Sequence, residues 1–363
     1  RQTDGNETRL MNLRHPLLVL IAVLGILTSA CGRGDTVDSG GVGGVDSPTG
    51  LTLNVYSAGG LGAWYRARFE QFTEETGIKV DLVEAGSGET VARAQDEKSK
   101  ADLLVVLPPF IQKAAQAGML QPSDVDVTGI TSQVVGPAAI YVPIVNNALA
   151  FIANPGANPR PVTWEDLLNP AFKGKLQYST PGEAGDGTAM LLLLQHLMGK
   201  QAALDFLVTL QANNVGPSSS TSALQPKVSS GELMVANGDV QMNLAAINND
   251  GSNFSIFFPA MPDGSRTTIS IPYVAGVMVA SPHPVEAKRL LAYLLSEGVQ
   301  KTVATEAFGI PVLDSVAREA AGETGVQTPT SLLKDVRMWV PEWTAVLAGI
   351  DADVAAYRET VGN

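Results

Sequence analysis

Hydroxyl side chains are concentrated in one short stretch, Val215 to Leu224, which reads VGPSSSTSAL. Its five consecutive Ser and Thr residues stand directly before residues that can start a helix. The stretch has two interpretations. It is either an exposed loop with a helix N-cap, or one wall of an anion site, because hydroxyls and free N–H groups at a helix N-terminus both donate to negative charge. The residues elsewhere in the chain favour the anion site.

Loops of similar composition recur where predicted strands end and helices begin. Open α/β sheets bind ligands there, at the carboxyl ends of their strands. These loops are rich in Ser, Thr and Gly, which bring backbone N–H groups close to a ligand and add hydroxyl donors, and they contain neither Lys nor Arg. We therefore expect neutral dipoles to hold an anion in a cleft. The loops that line it are 57–60, 86–88, 179–187, 217–221 and 237–239.

Two aspartates stand among these donors. Asp239 ends the turn-like sequence Asn-Gly-Asp, and Asp186 stands where a helix N-cap is expected, so each has a structural interpretation. In the functional interpretation, a carboxylate within a cleft of anion donors binds the cationic end of a zwitterion. The residues alone leave both interpretations open.

The spacing of apolar residues places these loops in an α/β protein. A strand over 51–56, a helix and a second strand over 78–83 make a β-α-β unit. The apolar run 101–107 predicts a strand buried on both faces of a mostly parallel sheet that is covered by helices. The fold class is therefore α/β.

The predicted elements divide into two α/β lobes with the ligand cleft between them. The chain changes lobe near Val142 and returns through the apolar run from Thr267 to Ala280, which gives two crossover segments. We expect the C-terminal stretch, Ser331 to Val361, to complete the first lobe. The predicted boundaries are 51–142 and 273–363 for the first lobe and 143–272 for the second.

The N-terminal residues predict export and a lipid anchor. Residues 1–10 are polar and precede Met11, which we take as the natural start. An apolar run of signal-peptide length follows, and the sequence Leu-Thr-Ser-Ala-Cys that ends at Cys31 resembles a bacterial lipobox. We expect a signal peptide over 1–31, a flexible tether over 32–50 and a folded part held outside the cytoplasmic membrane by acylated Cys31.

Composition and motifs exclude several functions. The net charge of −12 argues against nucleic acid as a partner. Cys31 is the only cysteine, so the mature domain has neither a disulfide nor a cysteine metal site. The three histidines have structural interpretations, and neither a G-x-S-x-G elbow nor a nucleotide-binding glycine motif occurs. We predict no enzyme activity, no cofactor and no metal site.

Three stretches carry a family resemblance: YSAGGLGAWY (56–65), GKLQYSTPG (174–182) and NNVGPSSST (213–221). They resemble the 2-aminoethylphosphonate-binding proteins of bacterial ABC importers, which are related to ferric-iron and polyamine binders. The likeness runs from Leu51 to the C-terminus. It implies a monomer with the two-lobed type II periplasmic-binding-protein fold, whose lobes close on one small molecule and present it to a membrane permease.

The resemblance also implies the residues that hold the ligand. Asp239 or Asp186 would lie near the amine together with Tyr273. Hydroxyl residues would hold the phosphonate, namely Ser57, Ser87, Ser179, Thr180, Ser219, Ser220 and Thr221.

Two positions depart from the family pattern. Ferric relatives often have two adjacent tyrosines where this chain has Gln241 to Leu244, so iron is disfavoured. Glu183 stands where we expect Gln in close relatives, and its charge would favour a more cationic ligand if it faced the cleft. Within this class of protein, phosphate, ferric iron and a polyamine remain alternative ligands.

Two alternatives come from other classes of protein. A phosphonate-cleaving enzyme would need a catalytic lysine or a metal cluster in the cleft. A surface adhesion module would need no ligand in the cleft at all.

Overall fold

The computed structural model describes residues 50–96, 98–130, 134–320 and 327–362. The predicted signal peptide, the lipidation site Cys31 and all of the tether except Gly50 lie outside the described residues. Ser47–Asn363 form one compact unit. Among the described residues, no helix combines the length and the apolar character needed to cross a membrane.

The described residues form mixed α/β structure. The strands are β1 (Thr52–Ala58), β2 (Lys79–Ala85), β3 (Leu103–Val106), β4 (Leu120–Gln121), β5 (Val142–Val145), β6 (Leu149–Ala153), β7 (Leu176–Gln177), β8 (Val235–Asp239), β9 (Ser255–Phe257), β10 (Thr267–Ile269), β11 (Tyr273–Met278) and β12 (Arg337–Trp339). The helices are α1 (Gly62–Thr76), α2 (Ser87–Gln95), α3 (Phe110–Gln116), α4 (Gly185–Met198), α5 (Lys200–Gln211), α6 (Gln225–Ser229), α7 (Val240–Asp250), α8 (Pro284–Leu294), α9 (Glu297–Gln300), α10 (Asp314–Ala320), α11 (Pro329–Leu332) and α12 (Trp343–Thr360). These assignments confirm the predicted α/β class.

The first lobe is built on a sheet with the order β2-β1-β3-β11-β4, and β5 also pairs with β11. The predicted β-α-β unit is present, since β1 and β2 are parallel neighbours joined by α1. The apolar run around β3 is buried throughout. The prediction of a mostly parallel sheet is wrong for the other half, because β11 runs antiparallel to β3, β4 and β5. The chain enters β11 on its return from the second lobe, and there it runs in the opposite direction.

The second lobe is built on a smaller sheet with the order β7-β8-β6-β9. Two segments join the lobes, 146–148 before β6 and 270–272 before β11. They lie side by side, and Ile271 N donates to the carbonyl of Asn147 at 3.0 Å. The structure differs from the predicted boundary at 142/143 because β5 pairs with the first sheet, so the crossing comes a few residues later.

The C-terminal stretch packs largely against the second lobe, where we expected it to complete the first. Strand β12 pairs with β10, which is linked to β6 through the bond from Thr268 Oγ1 to the carbonyl of Leu149 at 2.6 Å. Helix α12 is fixed by the hydroxyls of Tyr357 and Tyr178, 2.9 Å apart. Buried aromatic and hydroxyl contacts on the second lobe therefore decide where this stretch lies.

Candidate functional site

The loops selected from the sequence meet between the two lobes. Four of the five, all except 237–239, line a small cavity with a volume of about 20 Å³, which is space for roughly one water molecule. Its lining from the first lobe comprises Ala58, Gly59, Ala85, Gly86, Ser87 and Leu107, and its lining from the second comprises Ala184, Gly185, Asp186, Ser220, Thr221, Ser222 and Met242. An open groove of about 980 Å³ shares Gly59, Ala85, Ser220, Ser222 and Met242 with it. The cavity is thus the closed inner end of an interlobe cleft.

Two helices begin at this cavity, one from each lobe. Helix α2 begins at Ser87 after Gly86, and α4 begins at Gly185 after Ala184, and neither preceding residue caps its helix with a side chain. The first-turn N–H groups of a helix have no partners within it and carry partial positive charge. Both helices therefore direct uncharged donors toward the same small space.

Backbone contacts hold the lobes together around the cavity. Gly88 N donates to the carbonyl of Glu183 at 2.9 Å. A Cβ added to Gly86 would lie 2.0 Å from the carbonyl oxygen of Ser219. Glycine at position 86 therefore allows the 86–88 loop of the first lobe to approach the backbone of the second lobe closely.

Three of the predicted phosphonate residues line the cavity: Ser87, Ser220 and Thr221. The Ser87 hydroxyl accepts from Leu107 N at 3.3 Å. Ser220 Oγ lies 2.9 Å from Ser222 Oγ, and Thr221 Oγ1 donates to Ser179 Oγ at 2.9 Å. Ser220 and Thr221 thus place part of the stretch VGPSSSTSAL in the wall of this cavity, opposite Ser87 of the first lobe.

Three other predicted residues, Ser57, Ser179 and Thr180, are buried behind this wall. Thr180 Oγ1 accepts from Ser218 N at 2.9 Å, which fixes the 217–221 loop. Ser57 Oγ donates to the carbonyl of Ala58 at 2.9 Å. Their hydroxyls are engaged within the protein, so they support the site from behind.

Ser179 is the best connected of these supporting residues. Its backbone N donates to Asn237 Oδ1 at 2.8 Å, and its hydroxyl accepts from Asn237 Nδ2 at 3.0 Å. Ser219, in contrast, has an exposed side chain, and it contributes its carbonyl to the contact with Gly86. The structure therefore does not bring the Ser219 hydroxyl together with the others.

The two aspartates form a buried pair next to the hydroxyl wall. Asp186 is the second residue of α4 and is 2% exposed, while Asp239 is fully buried and caps α7 by accepting from Met242 N at 2.6 Å. Their carboxyl groups lie in hydrogen-bond contact with each other. Asp186 Oδ1 and Asp239 Oδ2 have no donor among the described residues. The predicted helix cap is therefore wrong for Asp186, which lies two residues after the N-cap residue Ala184, whereas Asp239, for which a turn is predicted, ends β8 and caps α7.

Burial is the main cause of the shifted pKa values of this pair. Loss of solvation raises the pKa of Asp239 to about 6, against the lowering effect of Met242 N–H. The pKa of Asp186 is raised well above its usual range, first by burial and then by the charge of Asp239. A cation between the carboxyl groups would relieve both effects.

Tyr273 lies behind the aspartates, in the first lobe. Its hydroxyl lies 3.0 Å from the carbonyl of Gly59 and 2.9 Å from Gln241 Oε1, positions at which it donates. Burial, followed by the charges of Asp239 and Asp186, raises the pKa of this hydroxyl well above its usual range. Tyr273 is therefore a neutral donor that bridges the lobes, and it does not line the small cavity.

Two amide residues were missed as site residues by the sequence analysis. Gln241 Nε2 donates to the carbonyls of Gly60 and Ala307, at 2.9 and 2.7 Å. Asn237 holds Ser179 as described above. In the sequence, Gln241 is notable only as a replacement for a tyrosine, and nothing in the spacing of these amides signals a contact that the fold creates.

Charged side chains surround the cleft at a greater distance. Arg66 and Arg93 line the outer groove and not the cavity, and Arg93 pairs with Glu89 at 2.5 Å. Glu183 is half-buried, and its charge adds to the effect of burial in raising the pKa of Tyr357 on α12. Over the ranges that the structure covers, no three His, Cys, Asp or Glu residues are arranged to hold a metal ion.

The chain is similar to a curated relative over most of the length of both proteins. Over 315 residues the chain is 40% identical to a Salmonella typhimurium protein named "Putative 2-aminoethylphosphonate-binding periplasmic protein", with 85% of this chain and 91% of that relative covered. This identity confirms the resemblance on which the sequence analysis drew.

Solved structures share the fold. Iron-bound HitA from Pseudomonas aeruginosa matches with a TM-score of 0.66 at 21% identity, covering 85% of this chain and 99% of that one. AfuA from Actinobacillus pleuropneumoniae, with fructose-6-phosphate bound, matches with a TM-score of 0.69 at 15% identity, covering 86% and 99%. These matches confirm the predicted two-lobed periplasmic-binding-protein fold.

The family model described as "Bacterial extracellular solute-binding protein" matches residues 58–301, which include both lobes and the whole cavity lining. The donors and carboxylates described above therefore occupy the interlobe cleft of a binding protein. Together, the family match and the interlobe cleft establish that the chain belongs to the bacterial extracellular solute-binding proteins and acts outside the cytoplasm.

Proposed function

We propose that this protein captures 2-aminoethylphosphonate, or a close aminophosphonate, between its lobes and delivers it to an ABC permease. The observation that carries the proposal is one interlobe cavity in which hydroxyls and helix N-termini stand beside a buried carboxylate pair. Such a cavity suits a small zwitterion. The name of the Salmonella typhimurium relative supports the same ligand.

The anionic end of the ligand is assigned to the hydroxyl wall and the two helix N-termini. Ser87 and Ser220 offer hydroxyl donors, and the first turns of α2 and α4 offer N–H groups. Thr221 also lines the cavity, but its hydroxyl donates to Ser179 Oγ. Hydrogen bonds to a charged group contribute about 1.5 to 3 kcal/mol each. A few such bonds, less the cost of association, are enough for affinity of about micromolar or tighter.

The cationic end is assigned to Asp186 and Asp239. An ammonium group would supply the donors that Asp186 Oδ1 and Asp239 Oδ2 lack within the described residues. The same carboxylates repel an anion that carries no positive charge. We therefore place 2-aminoethylphosphonate above inorganic phosphate as the ligand.

The other ligands fit this cavity less well. A polyamine would face the N-termini of α2 and α4, whose partial positive charge opposes it. Ferric iron would need more anionic ligands than the carboxyl pair, whereas the Tyr273 hydroxyl is a protonated donor next to Gln241 and no three His, Cys, Asp or Glu residues are grouped for a metal within the described ranges. Phosphonate cleavage and adhesion have no feature of the cavity in their favour, and we propose binding without catalysis or a cofactor.

Capture requires the lobes to move. A cavity of about 20 Å³ is far smaller than the ligand, so the lobes must open and then close around it. The proposed partner of the closed form is the permease, and the proposed anchor of the monomer is acylated Cys31.

Titration calorimetry tests the proposal. The compact unit from Ser47 onward would be titrated with 2-aminoethylphosphonate, phosphate, spermidine and ferric citrate in parallel. We expect micromolar or tighter binding of the aminophosphonate alone. Equal affinity for phosphate would refute the role of the carboxylates, and turnover of the aminophosphonate would restore the enzyme alternative.

A further inference from the structure

The contact between the carboxyl groups of Asp186 and Asp239 requires a proton. Two carboxylates in hydrogen-bond contact both present acceptors, so a proton must lie between them for the contact to be favourable. Asp239 Oδ1 is occupied by Met242 N, while Asp239 Oδ2 and Asp186 Oδ1 have no donor in the part of the chain that the structure describes. One shared proton satisfies this arrangement.

The surroundings offer no other positive charge to the pair. Thr221 lowers the pKa of Asp186. Asn147 and the N–H groups of Gln241 and Met242 lower the pKa of Asp239. These groups are all neutral, and no Lys or Arg is among the described groups that act on either carboxyl. From the first lobe, the hydroxyl of Tyr273 on β11 is near enough to the pair that both carboxyl charges raise its pKa.

We propose that the unliganded pair holds one proton between its carboxyl groups and releases it to solvent when the ligand's ammonium group enters. The inference rests on the proposed function, because it requires a ligand with an ammonium group. Before binding, the pair has one carboxylic acid and one carboxylate. After binding, two carboxylates accept from the ammonium group, and one proton has left, so charge and protons balance.

This exchange predicts a pH-dependent affinity with a defined sign. While the pair retains its proton, each unit of decreasing pH lowers the affinity about tenfold, because the proton competes with the ligand. At pH values where the unliganded pair has already lost its proton, this dependence disappears. A phosphonate without an amine does not displace the proton and lacks the effect.

Proton release can be counted by calorimetry in paired buffers. The protein from Ser47 onward is titrated with 2-aminoethylphosphonate at pH 7.0, above the pKa of Asp239 of about 6, in PIPES and in imidazole, whose ionisation enthalpies differ, so released protons appear as a difference in heat. Ethylphosphonate serves as the matched ligand, since it shares the phosphonate and lacks the amine. We expect 2-aminoethylphosphonate to release about one proton more than ethylphosphonate.

Two variants assign the proton to the pair. Asp239→Asn keeps a side-chain acceptor for the α7 cap and removes one carboxyl, so the extra proton release should disappear, and Asp186→Asn should do the same. Asp205→Asn is the matched control, because Asp205 is exposed on α5 and its carboxylate accepts from the neutral Gln201 side chain. It should leave proton release unchanged.

The outcomes separate the two proposals. If 2-aminoethylphosphonate binds and releases no more protons than ethylphosphonate, the exchange is refuted while the proposed function stands. If the extra release survives in both pair variants, the proton belongs to another group and the exchange is also refuted. If 2-aminoethylphosphonate does not bind at all, the proposed function fails, and the exchange fails with it.

Discussion

The hydroxyl of Tyr273 in the first lobe lies 2.9 Å from Oε1 of Gln241 in the second lobe. The same glutamine donates from Nε2 to the carbonyls of Gly60 and Ala307, which belong to the first lobe. All of these bonds join protein groups across the lobes, at buried positions beside the cavity. Gln241 therefore stabilises the closed arrangement through contacts that need no ligand.

Replacing Gln241 tests this role. Gln241→Ala removes hydrogen bonds of about 1 kcal/mol each from the closed form, so we expect the affinity for 2-aminoethylphosphonate to fall about 10- to 30-fold. Small-angle scattering should show a larger radius of gyration for the unliganded variant. Gln201→Ala, at an exposed position on α5, is the control. Unchanged scattering and affinity in Gln241→Ala would refute the role.

Close approach of the lobes at Gly86 gives a second prediction. Gly86 has φ −64° and ψ 154°, which alanine adopts freely, so Gly86→Ala should not disturb the folding of the first lobe. Its Cβ would lie 2.0 Å from the carbonyl oxygen of Ser219, so full closure is blocked. We expect a 10- to 100-fold loss of affinity in calorimetry with little change in melting temperature.

Gly298→Ala is the matched control for this substitution. No atom lies within 4 Å of a Cβ added at Gly298, and the residue is within helix α9. Its affinity should equal that of the unmodified protein. If Gly86→Ala also binds with unchanged affinity, the lobes close without this contact.

The fold was predictable where local patterns determine it. The alternating residues of β1 and the continuous apolar run of β3 indicated strands correctly, and the glycine-rich loops after β1 and β2 lie at the cleft. Pairing between distant segments was not predictable in the same way. Strand β11 joins the first sheet antiparallel, and Tyr357 packs on Tyr178 of the second lobe, because contacts far apart in sequence determine both.

For the candidate site, too, residue types were informative and contacts between distant segments were not predictable. Residue types indicated most of the loops that meet at the cavity, since Ser, Thr and Gly have few reasons to gather at strand ends. They did not show which hydroxyls face the cavity: Ser220 does, whereas Ser57 donates to its neighbour's carbonyl. Nor did they show that Asp186 and Asp239 meet, which depends on how α4 and α7 are placed by the second sheet.

Adjacent serines in the 217–221 loop allow a third prediction with an internal control. Ser220 is half-buried and lines the cavity, whereas the Ser219 side chain is exposed. Ser220→Ala should lower the affinity for 2-aminoethylphosphonate about 10- to 100-fold, the effect of losing one hydrogen bond to a charged group. Ser219→Ala should bind as the unmodified protein does. Equal effects of the two substitutions in calorimetry would contradict this assignment of the loop.

The final prediction concerns the stability of the unliganded protein. Burial raises the pKa of Asp239 from 3.8 to about 6, so between these values the folded state binds more protons than the unfolded state. The resulting stabilisation is fully present below pH 3.8 and is lost as pH rises through about 6, by up to about 3 kcal/mol. Asp239→Asn should therefore gain melting temperature relative to the unmodified protein at pH 7.5 but not at pH 4.5, whereas exposed Asp205→Asn should show no such pH-dependent difference. Circular dichroism melts at the two pH values measure this difference. An equal shift at both would show that burial of the ionised Asp239 carboxyl does not destabilise the folded protein.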